Sequence, residues 1–280
     1  LDGTGNLTVN SSFWWDAGVQ QGSGQTIVAG GVTGGVIRTF VSGLSEPVLA
    51  RTLVNQGSIT QQPGSAGNYS LTIVAGGVLD NRGTYTFTND VGIDGSGGVI
   101  LNSGTFAKNG GTGGSNLSAA FTNNGGAINV TSGYIADAAG FSSTGSGTID
   151  GTFYMTGGSG TVTGSLAGTG TLALNGGVLT TAAAGFAVPG YYQGGGVLDG
   201  TGNLTVNSSF WWDAGTQQGS GQTIVGAGVT GGVIRTFVSG LSEPVLARTL
   251  VNQGSISQQP GTAGNYNLTL TTGGVLDNRG

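Results

Sequence analysis

The sequence contains neither cysteine nor histidine. Without cysteine there are no disulfides, so burial and hydrogen bonding must hold the fold together. Zinc sites built on Cys or His are excluded, and so is every Ser-His or Cys-His nucleophile pair. Positive charge is scarce too: seven Lys and Arg stand against twelve Asp and Glu, giving a net charge of −5 and a pI near 4.3. Nucleic acid is therefore not expected as a partner, since it requires a basic footprint. No run of about 18 apolar residues occurs, so no membrane insertion is expected. Nor is there an apolar stripe of helical period of useful length.

Glycine is what the chain has instead: 61 of 280 residues, with only five prolines. That richness approaches low-complexity disorder. Disordered chains, however, carry high net charge and few aromatics. Here 7% of residues are charged, and there are four Trp, seven Tyr and ten Phe. The composition suits an ordered, tightly turning β structure.

The strongest signal is self-similarity. Residues 1–83 return as residues 198–280, an offset of 197, with nine differences. Repetition at a fixed period marks a repeat architecture. The reading is one continuous solenoid over 1–280, with 1–197 as a full long repeat and 198–280 as the start of the next. The chain is expected to be a piece of a longer array. Its total number of repeats is not fixed by the sequence.

A shorter rhythm lies inside the long one. Asn-x-Gly precedes a short β-prone run at Asn55, Asn81, Asn102 and Asn123, at intervals of 26, 21 and 21. Gly-Thr/Ser-Gly punctuates at Gly3, Gly22, Gly145 and Gly168. Both clusters read as sharp corners, where Gly and Asn accept positive φ. Between them apolar residues alternate, as in Leu7-Thr8-Val9, Leu71-Thr72-Ile73 and Leu172-Ala173-Leu174. Period two puts one face inward. The copies support that parity, because Thr60, Ser70 and Val74 become Ser257, Asn267 and Thr271, all beside inward positions. A thin coil cannot bury its own face, but stacked coils can. The expected fold is all-β, a right-handed parallel β-helix (β-solenoid) with coils of ~21 residues and strands about 4.8 Å apart. Pro47 cannot donate to a ladder, so 42–51 is expected as an outward loop.

The runs Gly-Thr-Gly-Asn-Leu-Thr-Val (3–9), Ser-Phe-Trp-Trp-Asp-Ala-Gly (12–18), Arg-Thr-Leu-Val-Asn-Gln-Gly (51–57) and Leu-Asn-Ser-Gly-Thr-Phe (101–106) carry a resemblance. Together they resemble giant bacterial cell-surface β-solenoid repeat proteins related to autotransporter and filamentous-haemagglutinin-type adhesins. In that family a small polar residue usually separates the two aromatics of the aromatic run, where this chain has Trp14. The resemblance implies export, an extended fibre, and a role in adhesion or surface architecture. It implies no catalytic residues.

Two constellations stand out. Asn55, Asn81, Asn102 and Asn123, with Asn252 and Asn278 in the second copy, are expected to stack as an amide ladder. The competing reading is that Asn simply tolerates a turn. Parity puts Phe13 and Trp15 inside and points Trp14, like its copy Trp211, outward. Outward indoles stack on sugars or pack against another fibre; the alternative is an indole lying flat on its coil.

Asn89, Asp90 and Asp94 suggest a calcium loop, but their spacing matches none, and no metal or cofactor is expected. Lys108, the only lysine, has no acidic cluster in sequence, so no enzymatic site is expected. The functional expectation is a structural, non-catalytic rod segment of an extracellular fibre. Its partners are neighbouring copies or repeats, end to end or side by side. A carbohydrate-binding adhesin module using Trp14 and Trp211 on surface glycans is the alternative, and an ice-binding face of outward threonines a weaker one.

Overall fold

Four residues make the basic element. In Thr84–Phe87 the rings of Tyr85 and Phe87 are buried, while Thr84 and Thr86 stay half-buried. Threonine alternating with a bulky residue is what a pleated strand with one covered face accepts. Val78–Asn81, Val99–Asn102, Thr152–Met155 and Thr171–Leu174 repeat the form. The computed structural model describes residues 1–36, 46–63, 69–233, 243–259 and 267–280. Among these, strands and the corners between them make up the structure, and there is no helix.

The strands pair in parallel with their equivalents in the next coil, so the fold is a β-solenoid. Contacts divide the chain into two compact units, Leu1–Ala139 and Gly140–Gly280.

In the first unit one ladder carries Leu7, Thr26, Leu53, Leu79, Ile100 and Phe121 in register. A second carries Phe13, Gly34, Ile59, Tyr85, Phe106 and Ile128. A third brings Leu71, Ile93 and Leu117 together. The inward residues fuse into one core. Its aromatic centre stacks Tyr85 on Phe106 at 5.4 Å and sets Phe121 edge-on to Phe106 at 5.0 Å. Both are favoured ring geometries.

The second unit uses the same grammar. Phe153, Leu172, Tyr191, Phe210, Gly231 and Ile256 share one register. Phe186, Leu204, Thr223, Leu250 and Leu276 share another. The start of the sequence repeat, Leu198, falls inside the strand Val178–Gly200, which pairs along most of its length with Leu204–Gln217. The repeat boundary is thus no structural boundary.

Coil length varies, as the Asn-x-Gly intervals of 26 and 21 imply. Along the first ladder the residue number advances by 19 from Leu7 to Thr26, by 27 to Leu53, by 26 to Leu79 and then by 21 at each step.

The loop expected at 42–51 is corrected in part. Residues 42–45 lie outside the described residues. From Val48 onward the chain is a strand, Val48–Asn55, pairing with Val19–Val28 and Val78–Asn81. Pro47 sits just before that strand, and its carbonyl accepts Thr72 N–H at 2.9 Å.

The duplicated stretch shows what a neighbouring coil does. Leu7 is 43% exposed, but Leu204, the same residue in the second copy, is 0% exposed beneath Phe186. Conversely Leu79 is 0% exposed under Ile100, while its copy Leu276 is 48% exposed.

Candidate functional site

Asparagines stack along the first unit. The ladder pairing puts Asn55, Asn81, Asn102 and Asn123 in one column, all buried. Nδ2 of Asn55 donates to Oδ1 of Asn81 at 2.8 Å. Asn81 donates to Asn102, and Asn102 to Asn123, at the same distance. The second proton of each amide goes to a backbone carbonyl around the corner: Thr84, Thr105 and Ala127. Asn123 closes the series on the Gly126 carbonyl at 3.0 Å. In the second unit Asn252 donates to Asn278 at 2.7 Å.

Positive φ, as the sequence suggests, is taken by Gly125 and by Gly3, Gly22, Gly145 and Gly168, but three glycines of the Asn-x-Gly series need a different explanation. Gly57, Gly83 and Gly104 do not take positive φ. A Cβ on Gly83 would run into the Gly57 carbonyl oxygen, and one on Gly104 into that of Gly83. Glycine is required because one coil's backbone lies directly on the next.

Arginine and lysine carry a role that sequence reasoning missed. Arg51 and Arg248 are 2% and 1% exposed. The Arg248 guanidinium donates to the carbonyls of Gly202, Gln218 and Gly221 at 3.0 to 3.2 Å. Arg51 reaches the corresponding Gly5 and Gln21. A planar fork can serve several carbonyls at once; the buried Nε of Arg51 has no hydrogen-bond partner among the described residues. Burial pulls the Arg248 guanidinium below its ordinary value, opposed in part by the Asp199 carboxylate. Glu46 accepts Ser70 N–H at 3.3 Å.

Lys108 is fully buried, and its ammonium has three acceptors: Asn89 O at 2.9 Å, Asp90 Oδ1 at 2.8 Å and Gly110 O at 2.7 Å. The Asn89-Asp90 corner that suggests a calcium loop thus holds the protein's own cation. The Lys108 hydrogen bond draws the Asp90 carboxyl below its ordinary value, aided by Gly113 N–H. Among the described residues, no three Asp or Glu side chains converge as a metal site would require.

The two tryptophans lie in separate units and behave alike. Trp14 is 47% exposed, and Trp211 is half-buried. Both face outward, while Phe13, Trp15, Phe210 and Trp212 are buried. Neither indole projects freely. A Cβ built on Gly35 would strike the six-membered ring of Trp14, and one on Gly232 would come within 2.6 Å of Trp211 Cζ3. Each indole therefore lies across the glycine of the next strand, as Tyr134 lies across Gly114. A large ring over glycine supplies the packing that glycine lacks.

The second unit also carries a surface groove. From Thr152 through Thr171 and Gly190 to Ser209 the residue number advances by 19 at every coil, so outward residues form straight rows. One row is Thr152, Thr171, Gly190, Ser209. The other, two residues along each strand, is Tyr154, Ala173, Tyr192, Trp211. Both rows, apart from the buried Gly190, line an open groove of about 430 Å³, with Asn175 at its side. Tyr154, Tyr192 and Trp211 are half-buried, and Ala173 between the tyrosines is covered. The sequence signal was available as aromatics at multiples of 19. The longer Asn-x-Gly rhythm of the first half hid it.

No protein-family model matches the chain, and neither does any curated protein or solved structure. No described helix is long and apolar enough to cross a membrane.

Proposed function

We propose that the chain is a structural, non-catalytic rod segment of an extracellular or cell-surface bacterial fibre, an adhesin-like repeat region. One observation carries the reading. The strand Val178–Gly200 runs through the start of the second copy without interruption and buries Leu204, Val206 and Phe210, whose first-copy equivalents begin the chain. A chain that joins its repeats through ordinary strand pairing lengthens by repetition alone, with no special interface.

The ionisable side chains fit a scaffold. Arg51, Arg248 and Lys108 hold corners, and Asp2 and Asp199 bind the turn N–H groups of Gly3 and Gly200. The surface setting, and with it neighbouring copies as partners, follows from the resemblance to adhesin-type solenoids. Electron microscopy and fibre diffraction of the native material test the reading. Long thin fibres with a reflection at about 4.8 Å along their axis are expected; compact particles would overturn it.

A further inference from the structure

We propose that the groove of the second unit binds a neutral polysaccharide. Its lining carries no charge: aromatic rings from Tyr154, Tyr192 and Trp211, hydroxyls from Thr152, Thr171 and Ser209, and the Asn175 amide. A uronate or sulfated glycan finds no counter-charge there. An apolar peptide would leave the hydroxyls and the amide without partners, at a cost.

A pyranose ring suits both rows. It has a flat face of C–H groups and a rim of hydroxyls. The ring face stacks on aromatic side chains, and the rim meets the threonine and serine row, about 6.6 Å away at two residues per strand step. Gly190, itself buried, lets the hydroxyls on either side of it approach closely: a Cβ there would lie 2.7 Å from Thr171 Oγ1 and 2.8 Å from Ser209 Oγ.

Size and stiffness agree. The volume lies within the usual range for ligand sites, about 300–1,000 Å³. The rows cross four coils, about 14 Å at parallel-strand spacing, which favours several linked sugars over one. Paired strands fix both rows in advance, so little ordering opposes binding. The site is not a property of the duplicated stretch alone. Trp14 repeats Trp211, but the tyrosines that complete the groove belong to 152–192.

The test uses the whole chain, residues 1–280, on an array of neutral and anionic glycans, followed by calorimetry on the hits. Binding to a neutral glycan is expected, without preference for charged ones. Tyr154→Ala and Thr171→Val should each weaken it at least tenfold. Tyr134→Ala, which removes an outward tyrosine of the first unit, should leave it unchanged. Thr171→Val keeps the side-chain shape, so it decides the matter if Tyr154→Ala melts early. No neutral ligand, or binding indifferent to Thr171→Val, overturns the proposal. So does a self-association that Tyr154→Ala abolishes with no glycan bound, which would make the groove a contact between copies. Fibres seen by microscopy in the same variants keep this outcome separate from the fate of the rod.

Discussion

Asn81 gives its amide proton to Asn102 and takes none from it. Asn55 does the same to Asn81, and Asn102 to Asn123, so the column is directional. Aligned hydrogen bonds polarise one another, and an interior member has a partner on both sides. Replacing Asn102 by Ala removes the acceptor of one Asn81 amide proton and the donor to Asn123 Oδ1 and the Ala127 carbonyl, at a cost of about 1–3 kcal/mol. Asn102→Asp should cost more, because carboxylate oxygens then face Asn123 Oδ1 and the Ala127 carbonyl. Thr60→Ala, at a half-buried outward position, should cost under about 0.5 kcal/mol. Urea unfolding of the three variants checks the order; equal losses would contradict a buried ladder.

The buried guanidinium predicts a contrast between two arginines. Arg248→Met takes a donor from the carbonyls of Gln218, Gly221 and Gly202, the last of which keeps the Thr181 hydroxyl, and should destabilise by several kcal/mol, at about 1–3 per unsatisfied group. Arg248→Lys should recover only some of that loss, since an ammonium lacks the fork. Arg82, bound only to Asp80 with its side chain 54% exposed, should cost under about 1 kcal/mol when replaced by Ala. Thermal melts of the three proteins would show it.

Acid should act on the Lys108 corner. The Asp90 carboxyl lies below its ordinary 3.8 in the folded chain, chiefly through Lys108. A depressed acid contributes stability above its unfolded value and loses it as pH falls through the folded one. Stability should therefore drop on acidification below about pH 4. Asp90→Asn should be less stable than the parent at pH 7 and flatter between pH 4 and pH 2. Parallel pH profiles for the two would rule out the linkage.

Trp211 and Gly232 should be coupled. Gly232→Ala forces the indole to move, while Trp211→Ala uncovers the strand. If the contact is what limits position 232, Gly232→Ala will cost less in the Trp211→Ala background, by about 0.5–3 kcal/mol, the usual coupling between touching residues. A double-mutant cycle by denaturant unfolding measures this. An additive result means that the ring does not rest there.

Leu276 invites an addition. Appending a second copy of residues 84–137 after Gly280 should cover Leu276 as Ile100 covers Leu79. The melting temperature should rise and binding of a hydrophobic dye should fall. A tail that stays protease-sensitive would show that the two copies are not interchangeable.

Much of this was legible in the residues. The spacing of Asn55, Asn81, Asn102 and Asn123 gives their register, because side chains alternate and corners recur. Parity separates Phe13 and Trp15 from Trp14. The arginines were opaque for a physical reason: Arg51 and Arg248 bind backbone carbonyls, which every residue has, up to 46 positions away. Lys108 hid likewise, with two of its three acceptors on the main chain. Tyr154 and Tyr192 stand two coils apart and carry no local motif; only the coil length makes them neighbours on one face. Gly57, Gly83 and Gly104 misled most, since a Gly beside Asn signals positive φ, as it does at Gly125, whereas Gly83 is set by a carbonyl from another coil.

The reach of the arginines bears on how such a scaffold carries load. In a parallel ladder the hydrogen bonds point along the stacking direction, so tension in that direction can pull neighbouring coils apart, a few bonds at a time. Arg51 belongs to a third coil yet holds Gln21 of the second and Gly5 of the first. A tear that starts between the first two coils must also pull the guanidinium off one of them. The clasp thus adds a side-chain bond to any such tear, and because Arg248 repeats it in the other unit, resistance to peeling comes around with the repeat.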